Sequence, residues 1–212
     1  MFEVGREEAF GVRILDQAGQ EVRELDEQHE QPMHLIVVRR DLTHCQHLHP
    51  SLHEDGSWSA PLTLPTPGFY RAFVDFSVNG EPLTLGADLT APDDLRVEPL
   101  PNPTNAVRIE DGYEVVLEAG TPTPGTGSSL RFRINRGGRE VEDLESYLGA
   151  LGHLVGLREG DLAYLHVHPT GGASAQIEFH TVFPSQGRYR MFLQFAHAGA
   201  IRTAAFTVEI RP

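Results

Sequence analysis

The feature that most constrains this chain is an internal repeat. The segment MHLIVVRRDLTHCQHLHP (residues 33–50) recurs 119 residues later, without a gap, as GHLVGLREGDLAYLHVHP (residues 152–169). Residues 34–76 and 153–195 share twelve identical positions, which in the first copy are His34, Leu35, Arg39, His47, His49, Pro50, Pro65, Gly68, Tyr70, Arg71, Phe73 and Phe76. Ungapped identity of this extent indicates an internal duplication, so we expect two similar domains.

Both copies of this segment have the pattern of a β-hairpin, in which two apolar runs flank a polar turn and the second run ends in HxHP. In the first copy, a two-residue loop at Arg40–Asp41 places His34 opposite His47. His49 joins them on the same face, because side chains two residues apart on a strand point the same way. The second copy predicts the same arrangement through a loop at Glu159–Gly160, with the histidines His153, His166 and His168.

Three histidines on one face of a hairpin form a candidate metal site. Opposed Cβ atoms in a sheet lie about 5 Å apart, which brings imidazole rings within reach of a single ion. Imidazole is a common ligand of copper and zinc. The spacing therefore predicts one copper or zinc site per repeat, built from His34, His47 and His49 in the first and from His153, His166 and His168 in the second. The alternative is that these histidines are structural and pack among apolar neighbours at the end of a sandwich.

The rest of the pattern predicts an all-β fold of two tandem immunoglobulin-like β-sandwich domains. Short alternating segments separated by turn residues occur about seven times in a complete copy. The repeated GxY sequence at Tyr70 and Tyr189 resembles a tyrosine corner, which predicts structural roles for both hydroxyl groups. Because residues 91–108 hold four prolines and little periodicity, we expect an extended linker there. The expected boundaries are 1–92 for repeat 1, 93–106 for the proline-rich linker and 107–212 for repeat 2.

Two local features are expected within this plan. The spacing of Leu144, Leu148 and Leu151 predicts one or two helical turns within residues 143–151. The strand predicted at residues 113–117 has no counterpart in the first copy, because the repeat offset leads to positions before Met1. Either repeat 1 has an incomplete sheet edge, covered by residues 1–9, by the linker or by another molecule, or the natural chain begins further upstream. We expect the incomplete edge, through which a homodimer could form.

Charge and composition exclude several partners. The formal net charge is −13, from 30 acidic and 17 basic residues, which argues against a nucleic-acid backbone as partner and favours cations. Cys45 is the only cysteine, so neither an intramolecular disulfide nor a cysteine-rich metal site can form. No apolar run is long enough to span a bilayer, so we expect no direct membrane insertion, and residues 1–19 lack the pattern of a signal peptide.

The motifs MHLIVVRRDLTHCQHLHP and DLESYLGALGHLVGLREGDLAYLHVHP, each followed by PxxGxYR, resemble a group of bacterial immunoglobulin-like repeat proteins that are exported or membrane-anchored. They are similar to YtkA-like and copper-resistance-type domains. The resemblance covers nearly the whole chain and implies an extracytoplasmic location and the handling of copper or another heavy metal. The sequence departs from the group in lacking an export signal and in having Cys45 where an aromatic residue is expected. A thiolate there would favour Cu(I) and Zn²⁺.

Three functions are compatible with these patterns. The first is a non-enzymatic metal-binding protein with one HxHP site per repeat, and the second is an extracytoplasmic protein-interaction module with structural histidines. The third is a hydrolase, because three histidines with an open position can activate water on zinc. A hydrolase also needs a general base, and no acidic residue adjacent to the HxHP motifs recurs in both copies. The sequence therefore favours binding over catalysis.

Overall fold

The structure is a computed structural model that describes residues 1–165, 167–171 and 176–212. It is all-β and consists of two tandem immunoglobulin-like β-sandwiches, which confirms the predicted fold class. The chain divides into two compact units, Met1–Glu98 and Pro99–Pro212. This division lies within the segment predicted as a linker.

The first unit contains seven antiparallel strands in two sheets, ordered β1-β5-β4 and β3-β2-β6-β7. The strands are β1 (Glu7–Val12), β2 (Met33–Arg39), β3 (Cys45–Leu48), β4 (Ser51–Leu52), β5 (Trp58–Thr63), β6 (Gly68–Val78) and β7 (Glu81–Ala91). The chain passes from one sheet to the other between β3 and β4, at His49 and Pro50. The HxHP sequence therefore lies where the strand changes sheet, a point at which proline sacrifices no ladder hydrogen bond.

The second unit has one sheet ordered β14-β15-β10-β9-β8, with β11 beside β10, and another ordered β13-β12-β16-β17. Its described strands are β8 (Ala106–Ile109), β9 (Tyr113–Glu118), β10 (Gly127–Arg136), β11 (Arg139–Glu140), β12 (Gly152–Arg158), β13 (Tyr164–Leu165), β14 (His168–Gly171), β15 (Gln176–Val182), β16 (Gly187–His197) and β17 (Ala200–Ile210). A 3₁₀ turn, Glu110–Gly112, precedes β9. Among the described residues, nothing helical reaches the length and apolarity needed to cross a bilayer.

Alternation along β2 separates the core from the histidines. Met33, Leu35 and Val37 pack into the core of the first sandwich, whereas His34 and Ile36 point to the outer face of the sheet. All seven residues of the strand are nevertheless buried. The candidate ligand His34 thus lies on a buried strand that is paired with β3 on one side and with β6 on the other.

The two tyrosine corners form as predicted. Tyr70 Oη donates to the carbonyl oxygen of Thr66 at 2.8 Å, and Tyr189 Oη donates to that of Ser185 at 2.9 Å. Both tyrosines are almost completely buried. Their hydroxyl groups tie the loop before β6 and before β16 to the start of the strand, which is a structural role.

The helical turns predicted within residues 143–151 are wrong. Tyr147 and Ala150 instead form a β-bridge around a tight turn, in which Leu148 and Gly149 have φ of 53° and 72°. Positive φ at both central residues is typical of a type I′ turn and incompatible with a right-handed helix. The leucine spacing was misleading because this turn interrupts it.

The first unit has the same turn at the repeat-equivalent position. Gln28 and Gln31 form the bridge, and His29 and Glu30 have φ of 51° and 61°. We call the segments 28–31 and 147–150 the repeat turns. They matter for the site because each supplies a carbonyl group to a histidine.

One sheet edge differs between the units. In the second unit, β10 has β9 on one side and β15 on the other. The equivalent strand of the first unit, β1, pairs only with β5 among the described residues. The first unit thus presents an open edge where the second unit carries β9.

Candidate metal centre

The outer face of the β3-β2-β6-β7 sheet carries the three predicted histidines of the first repeat. His34 lies on β2, His47 on β3 and His49 directly after β3. Each side chain offers a ligand nitrogen, and the three nitrogens all lie within 4.8 Å of one another. The fold therefore brings these three residues into one cluster, which we call the first-repeat cluster.

The strand register differs from the prediction. His47 lies opposite Ile36 and not opposite His34. The amide of Arg39 donates to the carbonyl of His44 at 2.9 Å, which closes a four-residue loop and shifts the register by two residues. Because side chains alternate with a period of two, the shift leaves the histidines on a common face.

The spacing of the rings is close to that of a ligand set. His34 Nδ1 lies 3.0 Å from His47 Nε2, and the centroids of the three rings lie 4.8 to 5.2 Å apart. Three nitrogens that share one ion lie about 3–4 Å apart, given metal–nitrogen bonds of about 2.0–2.1 Å. His34 and His47 already meet this requirement, and the three ligand nitrogens together lie within 4.8 Å of one another.

A backbone carbonyl fixes the protonation of His34. Its Nε2 lies 3.0 Å from the carbonyl oxygen of Gln28, at the start of the repeat turn. A carbonyl oxygen can only accept, so Nε2 carries the proton and donates it. Nδ1 therefore keeps its lone pair and faces His47. Metal-bound histidines are commonly oriented in this way, with the second ring nitrogen bonded to a carbonyl or carboxylate.

The surroundings of His34 favour its neutral form. Burial lowers the pKa of His34, while the Gln28 carbonyl and the Asp75 carboxylate act in the opposite direction. A neutral imidazole is the form that binds a metal.

Burial raises the pKa of the Cys45 thiol to about 12. Cys45 is therefore protonated at neutral pH, which matches apolar packing, and thiolate ligation would require it to lose this proton.

Sequence reasoning missed two groups beside the cluster. One is the Gln28 carbonyl, and the other is Asp75 on β6, which lies opposite His34 and is only 7% exposed. Asp75 Oδ1 accepts a hydrogen bond from Thr84 Oγ1 at 2.9 Å. An acidic residue within the apolar run of residues 72–76 was the available sequence signal for Asp75.

The second repeat reproduces the orientation of the first histidine. His153 lies on β12, is buried, and has its Nε2 2.8 Å from the carbonyl oxygen of Tyr147. Tyr147 occupies the position equivalent to Gln28 in the other repeat turn. Nε2 therefore donates here too, and Nδ1 is the nitrogen with the lone pair.

The other two histidines predicted for this repeat are His166 and His168. His166 lies outside the described residues, as does the side chain of His168. The backbone of His168 belongs to β14, where it pairs with His180. Leu157 pairs with Tyr164, so this hairpin loop is also longer than the predicted two residues.

His197 belongs to a different hydrogen-bond network. Its Nδ1 lies 2.6 Å from Tyr113 Oη, and its Nε2 lies 3.0 Å from Asp143 Oδ1. In the first repeat the equivalent position is Val78, as the sequence already showed. This histidine ties the end of β16 to β9 and takes no part in the predicted sites.

Fold and site together define a class of protein, a tandem β-sandwich with a histidine cluster on the outer face of a sheet. The chain belongs to the family described as "Domain of unknown function (DUF8832)", whose model matches residues 1–93 and 106–212. The two matched segments correspond to the two repeats. No curated protein matches the chain at a significant level.

Several solved structures are similar along the chain, with low scores. The Escherichia coli adhesin FdeC is 16% identical with a TM-score of 0.32, and the match covers 99% of this chain and 61% of that chain. Yersinia pseudotuberculosis InvD is 12% identical with a TM-score of 0.33, covering 99% and 55%. Domains 4 and 5 of the S-layer protein SbsC are 11% identical with a TM-score of 0.29, covering 94% and 80%. The chain thus spans 61% of the FdeC chain, and likenesses at this level carry no functional conclusion.

Proposed function

We propose that this protein binds copper or zinc ions through its histidines and catalyses no reaction. The ligands are His34, His47 and His49 in the first repeat and His153, His166 and His168 in the second. The observation that carries the proposal is the first-repeat cluster, with three ligand nitrogens within 4.8 Å and one imidazole oriented by a backbone carbonyl.

The choice of copper or zinc rests on ligand chemistry. Neutral imidazole nitrogens suit borderline transition-metal ions, whereas hard ions such as Mg²⁺ and Ca²⁺ prefer oxygen. The net charge of −13 also favours the approach of cations. The resemblance to copper-resistance-type domains points in the same direction. It also implies an extracytoplasmic location, which fractionation of the native host would test.

The decisive experiment is a double substitution. His47→Ala combined with His166→Ala removes one ligand from each predicted site, and the variant should lose most of its uptake of Cu²⁺ and Zn²⁺ in equilibrium dialysis. His197→Ala is the matched control, because that histidine is similarly buried but lies in a separate network. If the double variant takes up as much metal as the parent, the histidines are structural.

A second candidate function is that of an interaction module, which the open edge of β1 favours. An edge strand offers unpaired backbone groups to another strand. Pro61, opposite Ala9, has no N–H, so the Ala9 amide is expected to point to the open side. A homodimer through this edge would appear in light scattering, and Ala9→Pro should abolish it without breaking the pairing with β5. A monomer at all concentrations would count against this candidate.

A further inference from the structure

A buried carboxylate lies in line with the first-repeat cluster. On the outer face of the sheet, His34 on β2 faces Asp75 on β6, and Asp75 faces Thr84 on β7. His34 and Asp75 are each 7% exposed. Residues directly opposite each other on neighbouring strands have Cβ atoms about 4.5–5.5 Å apart. The carboxylate is therefore a close neighbour of a proposed ligand, although it is not one of the three.

The position of Asp75 is fixed by the fold. Its Oδ1 accepts a hydrogen bond from Thr84 Oγ1 at 2.9 Å, and its backbone lies within a long strand flanked on both sides. The carboxylate acts electrostatically on the cluster because Asp75 lies directly opposite His34 on the neighbouring strand and is itself buried. The carboxylate thus favours positive charge at this place in the sheet.

The second repeat has the same row without the charge. His153 on β12 faces Gln194 on β16, and Gln194 faces Thr203 on β17. Histidine and threonine are thus retained in both repeats, while the central carboxylate of the first is replaced by a neutral amide in the second. A purely structural partner for threonine would not require the charge, since an amide oxygen accepts the same hydrogen bond.

Three neutral imidazoles contribute no negative charge to the site. A neighbouring carboxylate therefore has a large influence on which ionic charge the site prefers. The attraction between the carboxylate and the ion scales with the charge of the ion, and burial weakens screening by water. We propose that Asp75 makes the first-repeat cluster selective for a divalent ion over a monovalent one. This inference rests on the proposed function and adds the charge of the ion that the site takes.

The test compares Zn²⁺ with Cu⁺, two ions with filled d shells that differ in charge. Asp75→Asn removes the charge but keeps the shape and an acceptor for Thr84. Both proteins would carry His166→Ala, so that the second predicted site is disabled. Zn²⁺ affinity would be measured by competition with a chromophoric chelator, and Cu⁺ affinity by competition with bicinchoninate under anaerobic reducing conditions.

We expect Asp75→Asn to weaken Zn²⁺ binding about 10-fold and Cu⁺ binding about 3-fold, since the loss in free energy is about twice as large for the doubly charged ion. Asp88→Asn is the matched control, because Asp88 lies on the same face, changes the net charge equally, and has a side chain that is 58% exposed. It should change neither affinity by more than about 2-fold.

The outcomes distinguish a failure of the proposed metal binding from a failure of the role inferred for Asp75. If the parent binds neither ion, the proposed function fails. If His47→Ala abolishes binding but Asp75→Asn leaves the ratio of the Zn²⁺ and Cu⁺ affinities unchanged, the cluster is a metal site and the role of Asp75 is wrong. Thermal unfolding of Asp75→Asn identifies a loss of fold, and in that case Asp75→Glu, which retains the charge, should keep the Zn²⁺ preference of the parent. Loss of that preference in a folded Asp75→Glu variant would overturn the inference.

Discussion

The two repeats keep the same arginine at the end of the first hairpin strand but surround it differently. In the first, Arg39 pairs with Asp41, and both side chains are only 6% exposed. In the second, the equivalent Arg158 pairs with Asp161, whose side chain is 52% exposed. The carboxylate has moved one position along the loop, since the residue equivalent to Asp41 is Gly160. The arginine is thus retained in both repeats, whereas its acidic partner comes from a different position of the loop in each.

The comparison shows that burial, and not the pKa alone, decides what such a pair contributes. Burial acts to raise the pKa of Asp41, but hydrogen bonds from Thr43 and the Glu98 amide, together with Arg39, hold it below its ordinary value. The hydrogen bond from Arg158 lowers the pKa of Asp161 to about 2. Both carboxyl groups are therefore ionised at neutral pH. Only the pair in the first repeat leaves a buried charge behind when one partner is removed.

The largest expected effect follows from this difference. Asp41→Ala leaves the Arg39 guanidinium buried without its carboxylate, which should lower the free energy of unfolding of the first unit by about 3–5 kcal/mol. Asp161→Ala should lower that of the second unit by only about 0–1 kcal/mol, because its ion pair is exposed to water. Denaturant titrations would measure both changes.

The chain offers a selective probe for this measurement. Trp58 is its only tryptophan, belongs to the first unit and is 3% exposed. Its fluorescence therefore reports the unfolding of the first unit, while far-UV circular dichroism reports both units. Equal shifts of the two variants would contradict the argument from burial.

Much of the fold follows from local pattern and from the duplication. Alternation predicted that His34, His47 and His49 share one face, and in the structure the three lie together while Met33, Leu35 and Val37 of the same strand point into the core. The tyrosine corners were also recognisable, because they depend on a short motif and a backbone carbonyl within the same loop. Features fixed by neighbouring residues are the ones that sequence reasoning recovers.

The hairpin register was missed because it depends on an unusual backbone conformation. Leu42 has a φ of 63° and Leu162 a φ of 58°, although leucine rarely adopts this region. Both side chains are almost fully buried, so packing of the leucine holds the loop in its four-residue form. In the first loop, no glycine or asparagine marks the turn in the way that turn chemistry usually does, whereas the second loop contains Gly160.

Asp75 was missed for a different reason. Its position beside His34 depends on the pairing of β2 with β6, which are far apart in the sequence. Local alternation assigns Asp75 to a face but does not say which residue lies opposite. The part of the candidate site that comes from one hairpin was thus predictable, and the part that comes from a distant strand was not.

The smallest expected effect concerns the repeat turns. The first repeat places His29 and Glu30 at positive φ, whereas the second has Leu148 followed by Gly149. Glycine adopts this conformation without strain. Glu30→Gly should therefore raise the free energy of unfolding of the first unit by about 0.5–1 kcal/mol, measured through Trp58 fluorescence.

The reverse change in the second repeat turn is the matched control. Gly149→Ala introduces a side chain at a φ of 72° and should destabilise the second unit by about 1 kcal/mol or more.

Glu30→Gly also tests whether the side chain of the first repeat turn affects the metal site. Glu30→Gly keeps the Gln28 carbonyl that orients His34, so metal affinity should not change. A loss of affinity with unchanged stability would show that the Glu30 side chain, and not the turn geometry, supports the first-repeat cluster.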